Sequence, residues 1–174
     1  MRDRKPIVGG NWKMNTDLQS ASELTRAVTD AMLANPPHAD VVIFPPFPYL
    51  LSVRAILRDR GASIRMGAQD VYHKPNGAFT GEVSTAMLAD CGAEVILVGH
   101  SERRHVLGED DHTINAKTLA SIDAGFTVML CVGETLEQRE AGQTDAVNAG
   151  QLKAGLNGLH EDHLSRIVIA YEPI

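Results

Sequence analysis

The sequence predicts an α/β fold whose parallel strands close as a barrel, and three observations carry that reading. Short apolar, β-rich runs recur along the chain, and a stretch with helix signals follows each of the first five. Their spacing of about 20 to 40 residues matches a strand plus its crossover helix, the unit of a parallel sheet. After the first run the chain reads Gly9-Gly10-Asn11-Trp12-Lys13, with neither GxGxxG spacing nor a Walker lysine motif. An open nucleotide-binding sheet usually carries a glycine-rich turn there, so the barrel is favoured over the open, doubly wound alternative.

Taken in order, Ile7–Trp12 is the first strand, and Asp17 or Thr16 caps a helix with Leu24, Val28, Ala31 and Met32 at helical spacing. Val41–Phe44 is the second strand. Pro48 suits a first helical position, Leu50, Val53 and Leu57 follow, and Gly61 is the stop. Ser63–Met66 is the third strand, and a helix from Ser84 to Cys91 closes at Gly92. Val95–Val98 comes fourth, with Ser101 expected to cap a short helical turn. A helix after Asp110 or Asp111 then closes at Gly125. Thr127–Val132 is fifth; Gly142 divides two helical pieces before Leu159, and Thr144 is expected to cap the second. Ile167–Tyr171 is sixth. With no low-complexity segment or linker, residues 1–174 read as a single domain.

The bulk properties narrow the function classes. Hydrophobic residues at 44% and charged residues at 22% are ordinary for a globular chain, and 174 residues suffice for a sizeable core. A net charge of −6 without a basic cluster argues against a nucleic-acid footprint. No apolar run is long enough to cross a membrane, and no apolar stretch follows the basic N-terminus to make a signal peptide. Cys91 and Cys131 sit far apart in apolar surroundings and read as buried free thiols, which suits a cytoplasmic protein.

Candidate chemistry gathers at the carboxyl ends of the runs, where α/β folds place ligand sites. Alternation along the first strand puts Ile7, Gly9, Asn11 and Lys13 on one face, with two small residues leaving room above them for a ligand. His100 ends the fourth apolar run beside the start of a helical turn, whose dipole favours an uncharged imidazole able to donate a hydrogen bond. His38, His73, His105, His112, His160 and His163 read as structural. Glu172 follows five mostly apolar residues, where partial burial strengthens a carboxylate as a base. Read alone, it fits an ordinary loop carboxylate as well. Together an amide, a cation, an imidazole and a carboxylate form the set needed to move a proton beside a carbonyl in an anionic substrate. No His/Asp/Glu spacing suggests a metal site.

The segments GGNWKMN (9–15), FPPFPYL (44–50), GAQDV (67–71), NGAFTGEVS (76–84), VGHSERRH (98–105), CVGE (131–134) and AYEP (170–173) resemble the triosephosphate isomerases, in family order. The resemblance implies a TIM (β/α)8 barrel and a cofactor-free interconversion of glyceraldehyde 3-phosphate and dihydroxyacetone phosphate, a step of glycolysis and gluconeogenesis. It implies that Glu172 shuttles the proton, His100 polarises the carbonyl and Lys13 binds the anionic substrate. Asn11 would position substrate, with Ser101 and Glu102 supporting them and Glu102 near Lys13 and His100. It also implies a homodimer in which the loop at 69–82 reaches the partner, bringing Thr80 near the partner's Asn11 and Met14 against its loop.

Six strand signals stand against the family's eight, so the barrel is expected to be incomplete in this chain. The chain reaches Ile174 before the family's glycine-containing lid and last two βα units, whose loops hold the substrate phosphate. By itself it is therefore expected to be poorly active or inactive unless a docked C-terminal complement of the same protein supplies them. A nick in the lid, a truncation or a naturally split chain would each explain the end. The alternatives are a non-catalytic dimerising module and another phosphosugar barrel isomerase.

Overall fold

A computed structural model describes residues 5–174, and its chain divides into two compact units. The first holds the described residues up to Gln69 together with Met87–Val95; the second holds Asp70–Ala86 and Ile96–Ile174.

In the first unit, β1 (Ile7–Asn11), β2 (Asp40–Phe44) and β3 (Ile64–Ala68) pair in parallel in chain order. Gly9 sits opposite Val42, and Ile43 opposite Met66. The Trp12 amide donates to the Phe44 carbonyl at 3.1 Å, carrying the bonding one residue past β1. Helix α1 (Leu18–Ala34) starts on Asp17, which forms a capping box with Ser20. Pro48 lies in a 3-10 turn, Phe47–Tyr49, that leads into α2 (Leu50–Arg60). Gly61, at φ 64°, ends that helix in the left-handed region where glycine carries no side-chain penalty. Val42, Phe44, Leu50, Val53, Met66 and Leu88 are buried, Leu88 coming from α3 (Thr85–Asp90). Gly67 is glycine for a packing reason: a Cβ there would lie 2.3 Å from the Phe44 ring.

In the second unit, β4 (Val95–Val98, entered from the first), β5 (Thr127–Val132) and β6 (Ile167–Tyr171) follow in that order, with β5 and β6 paired in parallel from Val128–Ile167 to Val132–Tyr171. Short α4 (Ser101–His105) and α5 (Asp111–Asp123) follow β4. Asp110 caps α5 by accepting the Thr113 amide at 2.7 Å. After β5 come α6 (Leu136–Glu140) and α7 (Thr144–Gly155), with Gly142 between them at φ 71°. Ile96, Val98, Ile114, Ile122, Val128 and Leu130 make the core. Both cysteines are free; Cys131 is buried and Cys91 half-buried.

Three local expectations are corrected. His100, not Ser101, is the N-cap of α4: its Nδ1 accepts the Glu102 amide at 3.3 Å. Gln143, not Thr144, precedes α7 as N-cap, because the Thr144 hydroxyl instead donates to Glu134 at 3.1 Å. Lys13 does not continue the β1 face. It lies past the strand at φ 54°, and its amide turns back to the Asn11 side chain at 2.9 Å.

Candidate active site

The first unit supplies Asn11 and Lys13. Asn11 ends β1, and its Oδ1 fixes the turn by accepting the Lys13 amide. Positive φ at Lys13 and at Thr16 (76°) is unusual for residues with a Cβ, and surrounding bonds hold the segment there. The Asn15 amide group donates to the Trp12 carbonyl at 2.9 Å, and the Tyr49 hydroxyl to the Thr16 carbonyl at 3.3 Å. Gln69, just past β3, donates to both the Lys13 carbonyl (2.9 Å) and the Phe44 carbonyl (2.8 Å). One side-chain amide group thus ties the loop after β1 to the end of β2. Met14 projects from this loop almost fully exposed.

The second unit supplies His100, Ser101, Glu102, Thr80 and Glu172. His100 is buried after Gly99, whose φ of 72° turns the chain out of β4. The Glu102 main-chain N–H thus engages Nδ1, and Nε2 is the ring nitrogen that this contact does not use. Glu102 Oε2 lies 3.4 Å from the same Nδ1. Arg104 braces this end of the unit: it donates to the Gly99 carbonyl (2.9 Å), the Cys131 carbonyl (3.3 Å) and Asp111 (2.7 Å).

Glu172 follows β6, and its amide donates to the Val132 carbonyl at 3.0 Å. Its side chain is exposed among the described residues. The neighbouring Ile169 and Tyr171 are exposed as well. Glu172, Ser101, Cys131 and Gly133 line one narrow crevice. Burial pushes the Cys131 thiol up to about 12, with the Glu172 charge adding and Arg104 opposing, so the thiol stays protonated and inert.

Glu134, two residues past β5, has a fully buried side chain. It accepts from Arg139 (2.9 Å), Tyr171 (3.0 Å), Thr144 (3.1 Å) and Asn148 (3.0 Å). Burial alone would raise its pKa, but the hydrogen bonds from Asn148, its own backbone, Arg139 and Tyr171 outweigh that and hold it at about 2. Glu134 is absent from the candidates named from the sequence, although it carries the same signal as Glu172: a carboxylate closing an apolar run. Gln69 had no comparable signal, since its partners are 25 and 56 residues away.

Thr80 is exposed in a loop closed by the Tyr72 amide on the Val83 carbonyl (2.8 Å) and by ring packing of Tyr72 on Phe79 (4.8 Å). No group of His, Cys, Asp and Glu side chains among the described residues has the geometry of a metal site. No helix among them is long and apolar enough to cross a membrane.

The family model for triosephosphate isomerase matches residues 6–174. The chain is 47% identical over 171 residues to the triosephosphate isomerase of Herminiimonas arsenicoxydans, covering 98% of this chain and 67% of that protein. It is 45% identical over 171 residues to that of Cupriavidus necator, with the same coverage. It is 44% identical over 173 residues to that of Symbiobacterium thermophilum, covering 98% and 66%. The chain belongs to the triosephosphate isomerase family.

It spans about two thirds of the length of these relatives. Its strands are six of the eight in the TIM (β/α)8 barrel of triosephosphate isomerases. Within that frame Asn11 and Lys13 follow from β1, His100 from β4 and Glu172 from β6, all at carboxyl ends.

Proposed function

We propose that the protein is an aldose–ketose isomerase that interconverts glyceraldehyde 3-phosphate and dihydroxyacetone phosphate. The carrying observation is a family match over nearly the whole described chain, together with the position of Lys13, His100 and Glu172, each following the carboxyl end of a strand. Glu172 takes the proton from the carbon beside the carbonyl and returns it to the neighbouring carbon. His100, with Nε2 as its donor, hydrogen-bonds the substrate oxygen on which negative charge develops. The Lys13 ammonium binds the anionic substrate and stabilises the enediolate, and Asn11 positions it. Glu172 carries the proton between the two carbons and His100 helps carry the hydroxyl proton from one oxygen to the other, so the isomerisation balances with no net redox change and no cofactor.

Residues 1–174 belong in this reading to one TIM-barrel domain. The remaining third of the relatives' length supplies the lid and the last two βα units, with their phosphate loops. The same reading makes the protein cytoplasmic and homodimeric, with Thr80 and Met14 at the subunit contact.

The test is an isomerase assay on the whole polypeptide, with and without a C-terminal complement, beside its sedimentation. Activity in the whole or complemented protein, lost in Glu172→Asp and His100→Gln, is the expected result. Full activity in either variant would remove the assigned role. A stable dimer inert in every combination would favour the non-catalytic module.

A further inference from the structure

The main chain that carries Glu172 rests on Gly133, the residue between β5 and Glu134. A Cβ built on Gly133 would lie 1.9 Å from the Glu172 carbonyl oxygen and 2.8 Å from its carbonyl carbon. No side chain fits there: the Glu172 peptide occupies the space directly. The bonds on either side reinforce the contact. The Glu172 amide donates to the Val132 carbonyl at 3.0 Å, and the Ile174 amide to the Glu134 carbonyl at 2.9 Å. The placement of Glu172 therefore depends on the placement of the Gly133 peptide groups.

Gln151 holds them. Its Oε1 accepts the Gly133 amide at 2.9 Å, and its Nε2 donates to the Gly133 carbonyl at 3.1 Å. A single carboxamide engages both polar main-chain groups of one residue, as a neighbouring strand would. Gln151 lies on α7, four and three residues on through Thr144 and Asn148, a spacing that aligns the three along one helix face. The other two hold the Glu134 side chain, so one polar stripe of α7 fixes both Gly133, against the Glu172 carbonyl, and Glu134, whose carbonyl accepts the Ile174 amide. A glutamine on that face has no need of buried main-chain partners for solubility. Its geometry fits a holding role.

We propose that Gln151 is a positioning residue for Glu172, acting through the two main-chain groups of Gly133. The proposal rests on the reading of Glu172 as the proton-transferring base.

The experiment compares wild type, Gln151→Met, Gln151→Glu and Glu172→Gln in the whole polypeptide. It measures kcat, KM, thermal unfolding, and the primary deuterium isotope effect with substrate deuterated at the transferred position. Methionine keeps the shape of glutamine and loses both bonds. The expected result is a fall in kcat of about tenfold or more, the scale on which small misplacements of a reacting group act. KM stays within about twofold and the isotope effect rises, because proton abstraction becomes the slow step. Gln151→Glu, which still accepts the Gly133 amide, falls between the two and carries the test if the methionine variant does not fold. Unchanged kcat per folded molecule and an unchanged isotope effect, with only the unfolding midpoint lowered, would overturn the proposal. An inert wild type, or Glu172→Gln as active as wild type, would overturn it earlier, by removing the base assignment on which it rests.

Discussion

The phenol of Tyr171 donates to Glu134 Oε1 at 3.0 Å, joining the residue before Glu172 to a fully buried carboxylate 37 positions earlier in the chain. The Arg139 guanidinium reaches the same carboxylate at 2.9 Å and the Tyr171 oxygen at 3.3 Å. The end of β6 is thus secured by side chains from α6 and α7 as well as by its pairing with β5.

Glu134 makes this anchor sensitive to acid. Its carboxyl is held at about 2 in the fold, against an ordinary value of 4.5. A depressed folded pKa contributes stability that is fully present above the unfolded value and is lost as pH falls through the folded one. The difference in unfolding midpoint between wild type and Glu134→Gln is therefore expected to be steady above about pH 5 and to shrink between about pH 4.5 and pH 2. Chemical denaturation of both proteins across that range measures it. A difference flat over the whole range would show that Glu134 is not held ionised by its neighbours.

Gly133→Ala tests the contact between Gly133 and Glu172 directly. The new methyl group would meet the Glu172 carbonyl at 1.9 Å, far inside contact distance, and that partner is backbone that cannot rotate away. The variant is expected to lose about a hundredfold in kcat, the scale associated with displacing a reacting group by about 1 Å. Steady-state kinetics beside thermal unfolding checks this. A variant of wild-type rate would mean that Glu172 tolerates movement of its own main chain.

The sequence was most legible where a signal is local. Asp17 and Asp110 cap the helices assigned to them, and β4, β5 and β6 have the expected bounds. Gly61, Gly92, Gly125 and Gly142 all sit at positive φ where helices were expected to stop or divide. Legibility failed where a side chain had a competing partner. Thr144 has the chemistry of a cap, but its hydroxyl is taken by Glu134. Ser101 has it too, but the turn at Gly99 presents the His100 ring to the Glu102 amide first. Lys13 obeys the alternation of a strand only on paper, since β1 ends at Asn11 and the chain enters a left-handed turn. Gln69 and Gln151 were silent because a carboxamide that grips distant main-chain groups leaves no periodic trace in the sequence.

Lys117 offers a stability test away from these contacts. It is buried in α5, with Nζ 2.7 Å and 2.9 Å from the two Asp70 oxygens and 2.5 Å from Glu109. Arg103 completes the cluster at 2.9 Å from Asp70 and 2.5 Å from Glu109. Burial raises the Asp70 carboxyl, and Lys117 and Arg103 oppose it. Lys117→Met leaves two buried carboxylates sharing one arginine, which is expected to cost about 3 kcal/mol or more. Adding Asp70→Asn removes one of the two charges and is expected to recover part of that loss. Urea denaturation of the single and double variants decides it, and a double variant less stable than Lys117→Met would contradict the electrostatic account.

Gln69 connects the end of β3 to Lys13, the substrate-binding residue of the proposed function. Its carboxamide donates to the carbonyl of a residue held at positive φ, where the backbone of a non-glycine residue stores about 1 to 3 kcal/mol of strain. Gln69→Met keeps the volume but gives up both donated bonds, freeing the Lys13 peptide to relax toward an ordinary conformation. In the proposed reaction Lys13 binds the anionic substrate in the ground state as well as beside the enediolate. Its displacement is therefore expected to raise KM by about tenfold, equivalent to about 1.4 kcal/mol of lost binding, with a smaller fall in kcat. The opposite pattern, kcat depressed with KM unchanged, would place the contribution of Lys13 in the transition state alone. Unchanged kinetics would show that the other bonds in this loop, from Asn11 to the Lys13 amide and from Asn15 to Trp12, hold the lysine without Gln69.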